Sequence, residues 1–207
     1  MSKNTPPPES RQGSPEPLLR PDLRVLRTRR LLGNALVTLA LERGYQSVNI
    51  RDITERAQVG YATFFRHYRD KDQLLHDLLE GVLEELMTLL EPLSAAADPD
   101  RTGTLVFRHA QEHSDLYRVL LGGQHALELL PRALEVGIQG VTATFQERPD
   151  GCIPLEVAAH HIIRSFMALI EWWLAHDTPY PPETMGRIFR QLIMQPTREA
   201  ALAPRRD

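Results

Sequence analysis

The chain has 207 residues, 42% of them hydrophobic, so it can bury the core of one large or two small domains, and we do not expect disorder throughout. A single cysteine, Cys152, excludes an internal disulfide, and the N-terminus lacks the apolar run of a signal peptide or membrane span, so we expect a cytoplasmic protein with no membrane partner. The formal net charge of −3 conceals an asymmetry, because residues 22–71 hold 10 Lys and Arg against 5 Asp and Glu, whereas residues 72–207 hold 11 against 20.

The N-terminal part of the chain combines a proline-rich arm with this basic segment. Residues 1–21 contain six prolines and little apolar content, which predicts a flexible arm. The basic segment 22–71 has two interpretations at this point: it contacts a polyanion, or it is a charged helix face in solvent. Its first part predicts a helix that ends at Gly44 and has an apolar face made of Leu32, Leu36, Leu39 and Ala40.

Two short helices are predicted next. Asn49, with Asp52 three positions later, gives the capping-box signature of a helix start. The letters QVG then predict a sharp turn, and YATFFRHY predicts a further helix beginning at about Gly60 or Tyr61. Two short helices joined by a tight turn and preceded by a longer helix form a helix-turn-helix, which favours DNA binding by residues 22–71.

The third predicted helix has the residues that a DNA-reading helix needs. Its inner face requires bulky anchors, which Phe64 and Tyr68 supply at positions i and i+4, while its N-terminal end must be free to meet base edges. Basic side chains on either side can bind phosphates. The predicted base-reading residues are Tyr61, Ala62 and Thr63, and the predicted phosphate-binding residues are Arg51, Arg66, His67 and Lys71.

The rest of the chain is predicted to be helical. Asp70 is a suitable N-cap for a fourth helix, whose buried stripe would be Leu75, Leu79, Val82, Leu86 and Leu90. Further helices are predicted near 102–113, 115–121, 124–147, 155–176 and 182–194, followed by a tail from 196 to 207. No run alternates with the period of a strand, so the predicted fold class is all-α.

The run RTRRLLGNALVTLALERGYQSVNIRDITERAQVGYATFFRHYRDKDQLLHDLL, residues 28–79, resembles the N-terminal domain of the TetR (tetracycline-repressor) family of transcriptional regulators. The matching features are ERGY at the end of the first helix, IRDITERAQV, TFFRHYRDKDQLL and the spacings between them. The resemblance implies a one-component regulator, most often a repressor, that binds a near-palindromic DNA operator as a homodimer and is released by a small-molecule effector. It also implies that residues 72–195 form the effector-binding and dimerisation domain, and that Phe65, His67 and Lys71 contact phosphates.

Two positions depart from the family pattern. Phe65 stands where a tyrosine is common, so a hydroxyl-to-phosphate bond is lost, and Gly60 stands where a serine or threonine usually caps the recognition helix. Each departure is expected to weaken DNA binding by about 1 kcal/mol. They leave open an alternative function, a helical ligand- or partner-binding module that no longer binds DNA. A helical enzyme would need a catalytic constellation, and no catalytic residue or cofactor is predicted.

The C-terminal helices are expected to hold the effector and to form the dimer. Helices 102–147 and 155–176 are predicted to line a pocket for a hydrophobic or aromatic effector, with Phe107, Tyr117, Phe145, His160 and Arg164 as candidate lining residues. The last two helices, 155–176 and 182–194, are candidates for a two-fold four-helix interface between protomers.

Two other groups could carry chemistry. His109 and His113 lie at i and i+4, a spacing that can chelate a transition metal, and His160 and His161 form a second imidazole pair. No carboxylate or cysteine cluster with metal-ligand spacing surrounds them in the sequence, so pocket lining or surface placement is the favoured interpretation and no metal site is predicted. Cys152 has no basic neighbour in sequence beyond Arg148, which does not favour oxidant sensing.

Overall fold

A computed structural model of the chain describes residues 23–94, 99–121 and 126–205. The predicted flexible arm 1–21 and the predicted turn at Gly122 and Gly123 lie outside the described residues. Helices dominate the described part, which confirms the all-α class and its division into an N-terminal helix-turn-helix and a C-terminal helical domain. None of the helices described is long and apolar enough to cross a membrane.

The N-terminal part is a three-helix unit resting on a fourth, longer helix. Its elements are α1 (Leu23–Arg43), a 3-10 turn (Tyr45–Ser47), α2 (Ile50–Ala57), α3 (Tyr61–Phe64) and α4 (Lys71–Ser94). The capping box of α2 is confirmed: the Asp52 amide donates to the Asn49 side chain and the Asn49 amide donates to the Asp52 carboxylate, both at 3.0 Å. Gly44 follows α1 with φ +82°, a left-handed conformation that favours glycine.

Helix α3 is shorter than the sequence predicts. The run YATFFRHY predicts a helix of about two turns, but the regular α-helix ends at Phe64, and residues 65–67 continue as turns. The reason lies just beyond, because the Arg69 amide donates to the side-chain oxygen of Gln73 at 2.6 Å instead of to a helical carbonyl. Asp70 caps the start of α4, as predicted, by accepting the Gln73 amide at 2.7 Å.

The C-terminal part follows with α5 (Pro99–Glu112), α6 (Ser114–Leu121), α7 (Ala126–Thr144), β1 (Phe145–Glu147), α8 (Leu155–Ala175), α9 (Pro182–Phe189), a π-helical segment (Arg190–Met194), α10 (Gln195–Ala201) and β2 (Leu202–Pro204). Helix α7 continues through Pro131 without a break. The core of this part surrounds Trp173, which is fully buried and donates its indole N–H to the Tyr180 carbonyl at 2.8 Å. A second core lies under α1 to α4 and extends into α6 through Leu116 and Leu120.

The C-terminal segment corrects two sequence-based expectations. Residues 196–207 are predicted to be a tail, yet α10 and β2 occupy most of this range, and Ala201 and Leu202 are buried. Strand β2 pairs antiparallel with β1, so the helix predicted over 124–147 ends at Thr144. Each strand is three residues long, which is too short for alternation to be recognised in the sequence.

Candidate nucleic-acid interface and apolar cavity

Helix α3 is held from behind by the two predicted aromatic anchors. Phe64 and Tyr68 are both buried, with ring centroids 5.9 Å apart. The Tyr68 hydroxyl donates to the Asp77 carboxylate at 2.7 Å, and the Arg29 guanidinium lies 5.6 Å from the Tyr68 ring centre. Burial, reinforced by the Asp77 carboxylate, raises the pKa of Tyr68, so the hydroxyl stays protonated and can donate. Helix α3 is therefore fixed to α1 and α4.

The opposite face of α3 is open to solvent. Tyr61 is 55% exposed, Ala62 is exposed and Thr63 is half-buried, which places the predicted base-reading residues together at the start of the helix. Phe65 is 48% exposed and packs edge-on against Tyr61, with ring centroids 5.3 Å apart. Gly60, at the N-cap, supplies no side-chain hydrogen bond.

The predicted phosphate-binding residues do not share one environment. Arg51 is exposed on α2 and pairs with Glu55 at 3.0 Å, while Arg66 is exposed after α3 and donates to the Thr63 hydroxyl at 3.4 Å. His67 is half-buried beside Tyr68. The Arg51 and Arg66 guanidinium groups are therefore exposed cations, one on α2 and one directly after α3.

Lys71 has a different environment from these exposed cations. Its ammonium group donates to the carbonyls of Val48 at 2.7 Å, Tyr45 at 3.0 Å and Gln46 at 3.4 Å, and it lies 4.5 Å from the centre of the Tyr45 ring. Burial lowers the pKa of Lys71, while Asp72 acts in the opposite direction. This geometry ties the 3-10 turn to the start of α4. A phosphate contact by the Lys71 side chain would have to replace those hydrogen bonds.

A cavity of about 630 Å³ lies in the C-terminal domain between α4, α5, α7 and α8. Its wall is almost entirely apolar and includes residues from each of these helices as well as from the segment that follows α9: Leu86, Met87, Val106, Val136, Val141, Ile162, Phe166, Met167 and Met194. The polar lining residues are few, namely Glu84, Thr88, Thr102, Tyr117 and Thr144. Volume and wall suit an apolar small molecule.

The structure separates the predicted pocket residues into three groups. Tyr117 and Phe145 line the cavity. Phe107 lies one layer behind the wall, with its ring centroid 5.3 Å from that of Phe166. His160 and Arg164 are exposed and do not line it, because they occupy the face of α8 opposite Ile162 and Phe166.

Helix α4 contributes cavity residues that the predicted set does not include. Its N-terminal half packs in the core under the helix-turn-helix through Leu74 and Leu79, and its second half lines the cavity through Leu86 and Leu90. The sequence does carry a signal for this, because the predicted apolar stripe of α4 continues beyond the end of the N-terminal domain. Arg132 of α7 also donates to the Glu80 carboxylate of α4 at 2.9 Å, which ties α4 to a second cavity helix.

The fold adds a carboxylate to the pair formed by His109 on α5 and His113 directly after it. The sequence shows no carboxylate with metal-ligand spacing near His109 and His113, but the fold brings Glu85 of α4 to 3.2 Å from His113, between the carboxylate Oε2 and imidazole Nε2. The spacing in the sequence could not indicate this carboxylate, because Glu85 belongs to another helix. Cys152 is exposed in the segment between β1 and α8.

Comparison with known proteins agrees with this architecture. Residues 34–78 match the family profile described as bacterial regulatory proteins, tetR family, and residues 102–195 match one described as a transcriptional regulator C-terminal region. The chain is 25% identical over 182 residues to the uncharacterized HTH-type transcriptional regulator YxbF of Bacillus subtilis, covering 83% of this chain and 46% of YxbF. It is 34% identical over 98 residues to the HTH-type transcriptional repressor Rv3405c of Mycobacterium tuberculosis, covering 47% of this chain and 49% of Rv3405c. The chain thus spans about half the length of these curated relatives.

A solved structure shares the fold. The crystal structure of a TetR-family transcriptional regulator from Syntrophomonas wolfei superposes with a TM-score of 0.67 at 19% identity, covering 83% of this chain and 95% of that one. The superposition extends beyond the helix-turn-helix into the C-terminal helices, so both parts of the chain have the architecture of that regulator.

Proposed function

Because the chain belongs to the TetR family of bacterial regulatory proteins, we propose that it is a one-component transcriptional repressor. In this proposal it binds a near-palindromic DNA operator as a homodimer in the cytoplasm and leaves the operator when an apolar small molecule enters the cavity. The observation that carries the proposal is helix α4, whose first half supports the anchored helix-turn-helix and whose second half forms cavity wall.

The DNA contacts follow from exposure and charge. Tyr61, Ala62 and Thr63 would meet base edges, because they form the open end of a helix whose other face is anchored. Arg51 and Arg66 would bind phosphates on either side, with His67 nearby. Their present partners, Glu55 and the Thr63 hydroxyl, form exposed contacts that cost little to exchange for phosphate.

Two residues of the predicted interface receive modified roles. Phe65 lacks a hydroxyl but has an exposed ring packed on Tyr61, which suits contact with a thymine methyl or a sugar better than a phosphate hydrogen bond. Lys71 acts from within the domain, because its ammonium group is bound to the carbonyls of the 3-10 turn. Lys71 would thus support DNA binding by holding α4 against the helix-turn-helix.

The effector would be a largely apolar molecule. Cavities of about 300–1,000 Å³ hold drug-sized ligands, and the volume here falls within that range. The polar groups on the wall are too few to recognise a highly charged molecule, while aliphatic and aromatic side chains offer extensive contact. A hydrophobic or aromatic effector fits this wall.

Release would be transmitted by α4. An effector shifts a conformational equilibrium only if it binds one state more tightly than the other. Helix α4 forms part of the cavity wall, and its Glu80 pairs with Arg132 of α7, so an effector that favours one orientation of α4 would also reposition the helix-turn-helix. In a dimer this would change the distance between the two recognition helices, which must match the half-site spacing of the operator.

The proposed dimer would use α8 and the helical segment that begins with α9. Leu192 is 69% exposed, and Val157 and Trp172 are also exposed, although all three lie on helices that are otherwise packed in the core. Exposed apolar residues on two neighbouring helices suit a two-fold four-helix contact.

The experiment that tests this proposal is selection of bound fragments from a DNA pool by the purified protein at two salt concentrations. We expect enrichment of a two-fold symmetric sequence and weaker binding at the higher salt. Arg66→Ala should reduce binding strongly, whereas the control Arg148→Ala, an exposed arginine paired with Asp150 in the C-terminal domain, should not. Absence of enrichment by a folded dimer would favour the alternative function of a ligand-binding module without DNA binding.

A further inference from the structure

Three side chains with metal-binding groups meet between α4 and α5. Glu85 lies on α4, His109 lies in the last turn of α5, and His113 directly follows the last residue of α5. One ligand atom from each residue lies within 4.8 Å of the other two. The Glu85 carboxylate is 3.2 Å from His113 Nε2, and the two imidazole centroids are 4.6 Å apart. The group opens toward solvent on the Glu85 side and is closed on the His109 side.

The buried imidazole of His109 has a partner on only one of its two nitrogens. The residue is 1% exposed, and its Nδ1 lies 3.1 Å from the Tyr117 hydroxyl. Its Nε2 is buried and has no hydrogen-bond partner within the described part of the chain. Buried polar atoms are nearly always paired, so an unpaired imidazole nitrogen beside a second imidazole and a carboxylate requires a reason.

The hydrogen bond between His109 and Tyr117 suits a metal ligand. When Nδ1–H donates to the Tyr117 oxygen, the lone pair is left on Nε2, and such an outer hydrogen bond orients metal-binding histidines in general.

We propose that Glu85, His109 and His113 form a binding site for a divalent transition-metal ion, with Zn²⁺ as the best match. Two imidazoles and one carboxylate are a common ligand set for Zn²⁺ and leave one position for water or another ligand. Mg²⁺ and Ca²⁺ prefer oxygen ligands and are not expected to bind.

The site requires only a small contraction to bind the ion. Bonds of about 2.0 Å in a tetrahedral arrangement place ligand atoms about 3.3 Å apart. The Glu85–His113 separation already meets this value, so the remaining adjustment concerns the distances to His109. The side chains of Glu85 and His113 are 51% and 30% exposed and can move toward the buried His109.

A bound ion would connect the cavity to the DNA-binding surface. It would link α4 to α5, and Tyr117, which is hydrogen-bonded to His109, lines the cavity. Metal binding would thereby restrict the orientation of α4 relative to α5. This consequence rests on the proposed function, because α4 is the helix that would transmit effector binding to the helix-turn-helix.

The site itself is tested without DNA, on the untagged full chain after treatment with a chelator. Titration with Co²⁺, followed by its visible absorption, should show one ion per protomer that Zn²⁺ displaces and Mg²⁺ does not. Glu85→Gln and His113→Ala should each weaken Co²⁺ binding at least tenfold. These two residues are partly exposed, so circular dichroism should show that both variants remain folded, whereas replacement of the buried His109 risks unfolding.

His76→Ala is the matched control. His76 is an exposed histidine on α4 that lies 3.8 Å from Glu80, outside the three-residue cluster, and its replacement should leave Co²⁺ binding unchanged. Co²⁺ binding that is equally strong in wild type, Glu85→Gln and His113→Ala would overturn the site, as would an equal weakening in His76→Ala.

The connection to DNA is tested on an operator fragment obtained by selection. Zn²⁺ should change the operator affinity of the wild type several-fold and leave that of His113→Ala unchanged. An equal response of both proteins would overturn the connection. If neither protein binds DNA with or without Zn²⁺, the proposed function fails, while the Co²⁺ titration still decides the metal site.

Discussion

The two parts of this chain are stabilised in different ways. The N-terminal unit has a packed apolar core, and hydrogen bonds around this core hold its elements together. These polar ties are the capping box of α2, the Tyr68–Asp77 hydrogen bond and the hydrogen bonds from the Lys71 ammonium group to carbonyls of the 3-10 turn and of Val48. The C-terminal domain contains a cavity of about 630 Å³ with an apolar wall. A surface that recognises DNA bases must hold its side chains in one geometry, whereas a cavity whose ligand changes the protein conformation needs walls that can rearrange. Under the proposed function, this difference corresponds to a rigid DNA-binding unit, here called the reader, attached to a deformable effector-binding domain, here called the sensor.

The largest expected effect comes from removing an aromatic ring from each part. Phe64→Ala should destabilise the protein by about 3–5 kcal/mol, because Phe64 is fully buried in a packed core. Phe166→Ala should destabilise the protein less than Phe64→Ala, with a difference of about 1 kcal/mol or more. The Phe166 ring stacks on that of Phe189, with centroids 4.0 Å apart, but its other side already faces the cavity. Urea unfolding measures both free energies. An equal or larger destabilisation by Phe166→Ala would contradict a deformable cavity wall.

Removal of the Lys71 ammonium group tests the polar ties of the reader. Lys71→Met keeps the aliphatic chain and leaves the carbonyls of Tyr45 and Val48 without their charged donor, which should destabilise the protein by about 1–2 kcal/mol. If Lys71 acts as a tie, the salt dependence of DNA binding should change little, whereas removal of a phosphate contact would lower the slope by about one unit. Arg51→Met, which removes an exposed cation, is the control and should lower the slope. If Lys71→Met lowers the slope of the salt dependence and leaves the stability unchanged, Lys71 contacts a phosphate after all.

A third change addresses the reading function without affecting the core. Thr63→Ala should reduce the discrimination between operator and scrambled DNA by about 1–3 kcal/mol for each interaction with a base edge that the substitution removes. Thr63 is half-buried at the open end of α3, so stability should change far less than in Phe64→Ala. The control is Thr142→Ala on α7, where the hydroxyl donates to the backbone carbonyl of Gln139 at 3.1 Å, remote from α3. Titrations with operator and scrambled DNA measure the discrimination of each variant. If Thr63→Ala discriminates as well as the wild type, Thr63 does not contact a base edge.

The same contrast explains how much of the molecule could be predicted from sequence. The reading surface is encoded locally: the cap at Asn49, the turn before Tyr61 and the anchors Phe64 and Tyr68 all lie within a short run whose spacing fixes their relative positions. The environment of Lys71 could not be predicted, because its carbonyl partners belong to a turn that precedes α2.

The cavity could be predicted only in outline, because its wall is assembled from single faces of several helices. Tyr117 and Phe145 do line it, but the rotation of α8 decides that Ile162 faces the cavity and that His160 and Arg164 face solvent. Periodicity gives the angle between residues of one helix but not which neighbour each face meets. The same limitation concealed Glu85 beside the histidine pair and the pairing of β1 with β2.

The smallest expected effects come from adding one methyl group to helix glycines. At Gly140, on the cavity wall, an added Cβ meets no atom of the described residues within 4 Å, so Gly140→Ala should stabilise the protein by about 0.5–1 kcal/mol through helix propensity. At Gly33 in the reader the Cβ would lie 2.7 Å from a Leu78 methyl, and at Gly137 in the sensor it would lie 2.9 Å from an Ile163 methyl. Neither substitution should keep this gain if its neighbour cannot move.

Substitutions at the two crowded glycines, Gly33 and Gly137, test whether the two parts differ in how easily their side chains move. Leu78 packs against the filled N-terminal core, whereas Ile163 borders the cavity and has space to retreat into it. Gly137→Ala should therefore keep part of the gain seen at Gly140, while Gly33→Ala should be neutral or destabilising, as measured by thermal unfolding of all three variants. A cost at Gly137 equal to that at Gly33 would mean that the cavity wall resists displacement as firmly as the reader's core. Effector binding would then have to move α4 as a rigid body, without local yielding of the side chains around the cavity.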